Sequence, residues 1–116
     1  MTELRSEPVV RIDPDLDRVV HVGDLHIDVA GLSVRMAAEK LHLPWREFQV
    51  LLLLADNAGR VLSADVLGRH IWDEGFVDAA GNLKVHVARL RKRMKQHLGV
   101  DDIRTVRGTG YVLEAP

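Results

Sequence analysis

From Asn82 to His97 the chain reads Asn-Leu-Lys-Val-His-Val-Ala-Arg-Leu-Arg-Lys-Arg-Met-Lys-Gln-His, and this stretch restricts the possible folds more than any other. At 3.6 residues per turn, Leu83, Val87, Leu90 and Met94 fall in one narrow apolar stripe, so the segment predicts a helix with a single buried face. The opposite side carries Val85, Arg89, Lys92 and Gln96. His86 and Arg93 form one shoulder, and Lys84, Ala88, Arg91 and Lys95 lie nearer the other. The stretch contains no acidic residue. An ordinary solvated helix mixes signs at i±4 so that the pairs support one another, whereas here the cations repel. Such a helix suits a polyanion, because each phosphate it meets releases condensed counterions. Arginine pairs bidentately with guanine, and an exposed Val85 suits a thymine methyl better than water.

The rest of the chain must bury the apolar stripe. At 116 residues it makes one domain, read as a flexible leader over 1–8 with no assigned role and a folded domain over 9–116. The net charge of −1 conceals a segregation: Lys84 to Arg107 holds eight Lys or Arg against two acids, Asp101 and Asp102, a local balance of +6. One basic face on an otherwise acidic molecule is the footprint of a nucleic-acid binder. No apolar run reaches the roughly 18 residues of a membrane span, and the first residues lack a signal-peptide pattern. With no cysteine, the composition fits a cytoplasmic protein and offers neither thiol chemistry nor cysteine metal sites.

Val9–Ile12, Arg18–Val22, Leu25–Val29, Leu32–Ala37 and Lys40–Leu43 read as short β pieces. They are broken by the turn formers Asp13-Pro14-Asp15, Gly23-Asp24 and Ala30-Gly31. These predict an antiparallel sheet of about four strands. The period then changes to 3.6. A first helix runs from about Pro44, placed in its first turn with Glu47 at the positive end of the dipole, to Asn57. Its core face is Phe48, Leu51, Leu52 and Ala55, widened by Leu53 and Leu54 into almost complete burial, and Gly59 closes it by taking positive φ. Ser63 is the expected N-cap of a second helix bearing Val66, Leu67, His70 and Ile71 and ending near Trp72. The connector Asp73 to Gly81, carrying Phe76 and Val77, is longer than a tight helix-turn-helix turn and is a candidate protein-contact loop. Beyond the basic helix, Ile103–Arg107 and Tyr111–Leu113 flank Gly108-Thr109-Gly110, a hairpin with Arg107 at its tip.

Four stretches carry a resemblance to a known family: Leu43-Pro-Trp-Arg-Glu-Phe-Gln-Val-Leu-Leu; Gly59-Arg-Val-Leu-Ser, with Leu67 and Ile71-Trp72 after it; Val85-His86-Val87-Ala88-Arg89-Leu90-Arg91-Lys92-Arg93; and Thr105-Val106-Arg107-Gly108-Thr109-Gly110-Tyr111. In this order they resemble the OmpR/PhoB family of winged-helix transcription factors, the effector domains of bacterial two-component response regulators. The resemblance implies an α+β winged helix-turn-helix: an N-terminal antiparallel four-stranded sheet, three helices and a C-terminal β-hairpin wing. It also implies that the third helix enters the major groove of double-stranded DNA. Position by position, Val85 and Arg89 resemble base readers, His86, Arg91, Thr105 and Tyr111 backbone contacts, Arg107 the arginine of the wing in the minor groove, and Trp72 a phosphate contact. Lys84, Lys92 and Arg93 complete the basic face.

The sequence departs from the family pattern at Pro44, Gly81, Lys84 and Ala88, so the target sequence does not carry over. No receiver with a phosphorylatable Asp is matched, which leaves a cut-out effector domain or an orphan regulator. The implied partners are DNA, a second copy arranged head-to-tail on direct repeats, and RNA polymerase through the 73–81 loop, with no membrane and no cofactor. The rival readings fare worse. The six histidines show no His-x-x-x-His or His-Glu-x-x-His spacing and no serine sits in a nucleophile elbow, which argues against an enzyme. A winged helix docking an acidic protein remains, distinguished by its indifference to DNA competitor.

Overall fold

The computed structural model describes residues 15–72 and 79–114. Four short strands open it: β1 (Val19–Val22), β2 (Leu25–Asp28), β3 (Ser33–Met36) and β4 (Glu39–His42), paired antiparallel in the order β1-β2-β3-β4. Their register aligns Val20, Ile27, Val34 and Leu41 across all four strands, and Ile27 and Val34 are wholly buried. Period-two alternation therefore builds one apolar sheet face. The third strand ends one residue before the expected Ala37, because Ala37 takes φ 54° and forms the turn itself. Alanine gives no turn signal, so that boundary was not readable. The predicted Val9–Ile12 piece lies outside the described residues.

α1 (Trp45–Asp56) follows, with Pro44 at the N-cap and not within the first turn, its carbonyl accepting from the Phe48 amide at 2.9 Å. Phe48, Val50, Leu51 and Leu54 are wholly buried. The expected near-complete burial of the helix is not reached: Trp45 is 54% exposed, Leu52 is half-buried, and Trp45, Gln49, Leu52 and Asp56 form its outer stripe. Arg18 clamps the far end of α1 to the start of β1 through a bidentate pair with Asp56 at 2.7 and 2.8 Å. Gly59 does take positive φ, 83°, and its amide donates to the Leu113 carbonyl at 2.9 Å, tying the end of α1 to the last strand.

β5 (Leu62–Ser63) precedes α2 (Ala64–Ile71) and had no sequence signal of its own. Ser63 serves twice, pairing in a sheet through its backbone and capping α2 as expected, its Oγ accepting from the Val66 amide at 3.1 Å. α3 (Ala79–Leu98) begins three residues before the expected Asn82, so Gly81 lies inside the helix and does not close the connector. Gly75, Phe76 and Val77 lie outside the described residues. α3 is 20 residues long, about 30 Å, and packs on α1, α2 and β4 through Leu83, Val87, Leu90 and Met94, all but buried as the periodicity requires.

β6 (Ile103–Val106) and β7 (Gly110–Leu113) form the expected hairpin, and β7 lies between β6 and β5 in a three-stranded sheet. The two glycines of Gly108-Thr109-Gly110 act differently. Gly108 adopts φ 76° to make the turn. At Gly110 a Cβ would lie 2.0 Å from the Leu62 carbonyl oxygen, so only glycine lets β5 close on the hairpin.

Candidate nucleic-acid interface

The face of α3 opposite its buried stripe is presented as the sequence requires. Lys84, Val85, Ala88, Arg89, Lys92, Lys95 and Gln96 are exposed, Val85 at 46%, and His86, Arg91 and Arg93 are half-buried on the flanks. Arg89, Lys92, Arg93 and Gln96 line one shallow depression along the helix.

The cations on this face do not simply repel, as the local sequence implied, because other elements supply acids. Arg91 reaches Asp101 at 3.5 Å and donates to Thr105 Oγ1 at 3.2 Å, tying α3 to the first strand of the hairpin. Arg93 donates through Nε to Glu47 Oε1 at 2.8 Å, and that carboxylate is buried under the first turn of α1. Arg104 pairs with Glu114 at 3.0 Å across the hairpin. This contact raises the arginine pKa and lowers the carboxyl pKa, in each case chiefly through the hydrogen bond. The charge that remains belongs to Lys84, Arg89, Lys92, Lys95 and Arg107, none ion-paired with a described residue. They share one helix face and the exposed tip of the hairpin.

Trp72 ends α2, its amide donating to the Gly68 carbonyl at 2.9 Å. Its ring meets His86 edge-on, with centroids 5.4 Å apart, and the Arg46 guanidinium lies 5.6 Å from the ring centroid. Arg46 also donates to the Ile71 carbonyl and to Gln49 Oε1. His86 Nδ1 lies 2.7 Å from the Asn82 carbonyl, an acceptor, so the proton sits on Nδ1 and Nε2 is the ring's free acceptor when neutral. Tyr111 is half-buried and stands opposite Thr105 on the hairpin.

The structure thus gathers Trp72 with His86, Arg91 with Thr105 and Tyr111, and Arg89 with Lys92 and Arg93, and leaves Arg107 apart from these groups at the exposed hairpin tip. Arg46 and Glu47, which organise these groups from α1, were not singled out as site residues. No local pattern links Glu47 to Arg93 across 46 positions. At the base of the hairpin, burial and then the neighbouring Asp101 raise the Asp102 carboxyl pKa, and its Oδ2 has no hydrogen-bond partner among the described residues.

The family described as transcriptional regulatory protein, C terminal, matches residues 38–113, which include all three helices and the hairpin. The chain belongs to that family. This OmpR/PhoB-type domain is the DNA-binding, regulatory part of bacterial transcription regulators and not an enzyme. It is 33% identical over 104 residues to the heme response regulator HssR of Staphylococcus saprophyticus, covering 90% of this chain and 46% of that protein. It is 40% identical over 97 residues to the transcriptional regulatory protein CseB of Streptomyces coelicolor, covering 84% and 40% respectively. The OmpR/PhoB-type domain therefore spans less than half the length of these relatives.

Among solved structures it resembles the DNA-binding domain of E. coli CadC, with a TM-score of 0.74, 28% identity and coverage of 84% and 92% of the two chains. The DNA-binding domain of Klebsiella pneumoniae RstA, solved in complex with the RstA box, gives a TM-score of 0.72 and 26% identity, covering 84% and 97%. The winged-helix fold with its N-terminal sheet, three helices and hairpin is thereby shown. No helix among the described residues is long and apolar enough to cross a membrane.

Proposed function

We propose that this domain reads a specific double-stranded DNA sequence, with α3 in the major groove and the β6–β7 hairpin at the adjoining minor groove. The observation that carries this is the acid-free outer face of α3, where Lys84, Arg89, Lys92 and Lys95 stand around an exposed valine with no ion pair among the described residues. Val85 and Arg89 are the base readers, the valine meeting a thymine methyl and the arginine a guanine edge. Lys84, His86, Arg91, Lys92, Arg93, Thr105, Tyr111 and Trp72 contact phosphates and sugars and set the register. Arg107, exposed at the wing tip, enters an A·T-rich minor groove, attracted by its narrow width and negative potential. The RstA complex with its DNA box supports the reading by analogy of fold.

One helix and wing cover a short half-site, and modules of this size bury roughly 600–1,000 Å² of protein on DNA, too little for tight discrimination in a genome. Two copies are therefore required; the family resemblance implies a head-to-tail pair on direct repeats, and a spacing of about one helical turn, roughly 10–11 base pairs, lets both reading helices face the same side. RNA polymerase is the partner proposed for the connector after Trp72. The decisive experiment is selection of bound duplexes from a random pool, followed by Arg89→Ala on the selected site. The variant should lose about 1–3 kcal/mol and relax preference at one base pair. Selection that enriches no sequence, with binding indifferent to duplex competitor, would replace this reading by docking to an acidic protein.

A further inference from the structure

Arg91 and Arg93 both meet a carboxylate, but the Asp101 side chain beside Arg91 is 51% exposed, whereas the one behind Arg93 is built into the core. The Glu47 side chain is only 3% exposed, while that of Arg93 is 43% exposed. Glu47 stands in the first turn of α1, and its Oε1 takes the Nε–H of Arg93 at 2.8 Å. A guanidinium presents its donors in a rigid fork, so a fixed Nε fixes the plane of the whole group and leaves the two terminal nitrogens as the donors still to be used. Arg93 lines the same depression as Arg89, Lys92 and Gln96, on the face where the positive charge collects.

Burial makes the arrangement directional. A carboxylate this deep cannot meet DNA itself, and a long side chain at an interface otherwise surrenders its rotamer freedom on binding. We infer that Glu47 is a positioning residue for DNA binding: from the core side it holds the Arg93 guanidinium in the plane in which its terminal nitrogens fork onto a backbone phosphate. The contact is a bidentate charge-assisted hydrogen bond, and it adds affinity without sequence information. This rests on α3 being the DNA-binding element.

The test measures affinity for a selected duplex and for a scrambled one with the wild type, Arg93→Ala, Glu47→Leu, Glu47→Gln and the double variant Glu47→Leu/Arg93→Ala. Folding is followed by circular dichroism at the same temperature. Arg93→Ala and Glu47→Leu should each weaken binding about three- to tenfold on both duplexes, the worth of one immobilised side chain at an interface. The double variant should bind no more weakly than Arg93→Ala alone. Glu47→Gln, whose amide oxygen still accepts from Nε, should recover part of the loss.

Glu47→Leu binding like wild type, or losses that multiply in the double variant, would overturn the inference while leaving DNA binding intact. A wild type that binds neither duplex would overturn both. Should Glu47→Leu not fold, the Arg93 Nε–H signal in the wild type decides: its hydrogen exchange must be slower than that of Arg89 before DNA is added, and equal rates overturn the proposal.

Discussion

Replacing Gly110 by alanine tests whether the short β5 contact holds the wing to the helices. The new Cβ would lie 2.0 Å from the Leu62 carbonyl oxygen, 2.7 Å from its carbon and 2.8 Å from the Ser63 Cα. All three are backbone atoms and cannot swing aside, and favourable carbon contacts lie at roughly 3.5–4.0 Å, so one strand must move by about 1 Å or more. If the structure absorbs this as strain, the cost is that of overpacking, about 1–3 kcal/mol. If β5 lets go, its short ladder loses hydrogen bonds worth about 1 kcal/mol each. Leu62, now 1% exposed, would also give up part of the roughly 1.5–3 kcal/mol of its burial.

Both routes bring Gly110→Ala to about 3 kcal/mol, and for a domain of this size that lowers the melting temperature by roughly 15 °C. Gly108→Ala is the internal control: it has φ 76° and no atom within 4 Å of its would-be Cβ, so it should cost only the left-handed penalty of about 1–2 kcal/mol. Urea unfolding of the two variants followed by tryptophan fluorescence gives the comparison. A Gly110→Ala variant no less stable than Gly108→Ala would show that β5 does not hold the hairpin.

Ser63→Ala removes the acceptor for the Val66 amide and should cost about 1 kcal/mol in urea unfolding, with the β5 backbone pairing left intact. Asp102→Asn should stabilise the protein at neutral pH. Burial raises its carboxyl pKa in the folded state above the usual 3.8, so the folded form binds more protons and loses stability as pH rises through the interval between the two values. The gain from Asn should be full above that interval and vanish as pH falls below 3.8, and a gain independent of pH would contradict the assignment.

Much of the fold was legible because its signals are local. The stripe Leu83, Val87, Leu90 and Met94 sets which side of α3 is buried, whatever it packs against, and so also which side is left for a ligand. Ser63, Gly59 and Gly108 act within one turn of chain, through a capping hydroxyl or a positive φ that few other residues supply. Val20, Ile27, Val34 and Leu41 alternate within their own strands. These are choices made by residues a few positions apart, and sequence records them directly.

Tertiary structure decided whatever depends on two distant segments meeting. The sequence of α3 shows a row of cations, yet only packing brings Glu47 to Arg93 and Asp101 to Arg91, so that part of the row is held in place and the rest stays free. The two residues of β5 are too few to carry a periodicity and become a strand because β7 lies beside them. Gly110 reads in the sequence as part of a turn, and its requirement for glycine appears only once the Leu62 carbonyl arrives against it. The physical reason is the same in each case: a buried charge, a two-residue ladder and a missing Cβ are stabilised by atoms that only the closed fold brings near, and no local pattern encodes their arrival.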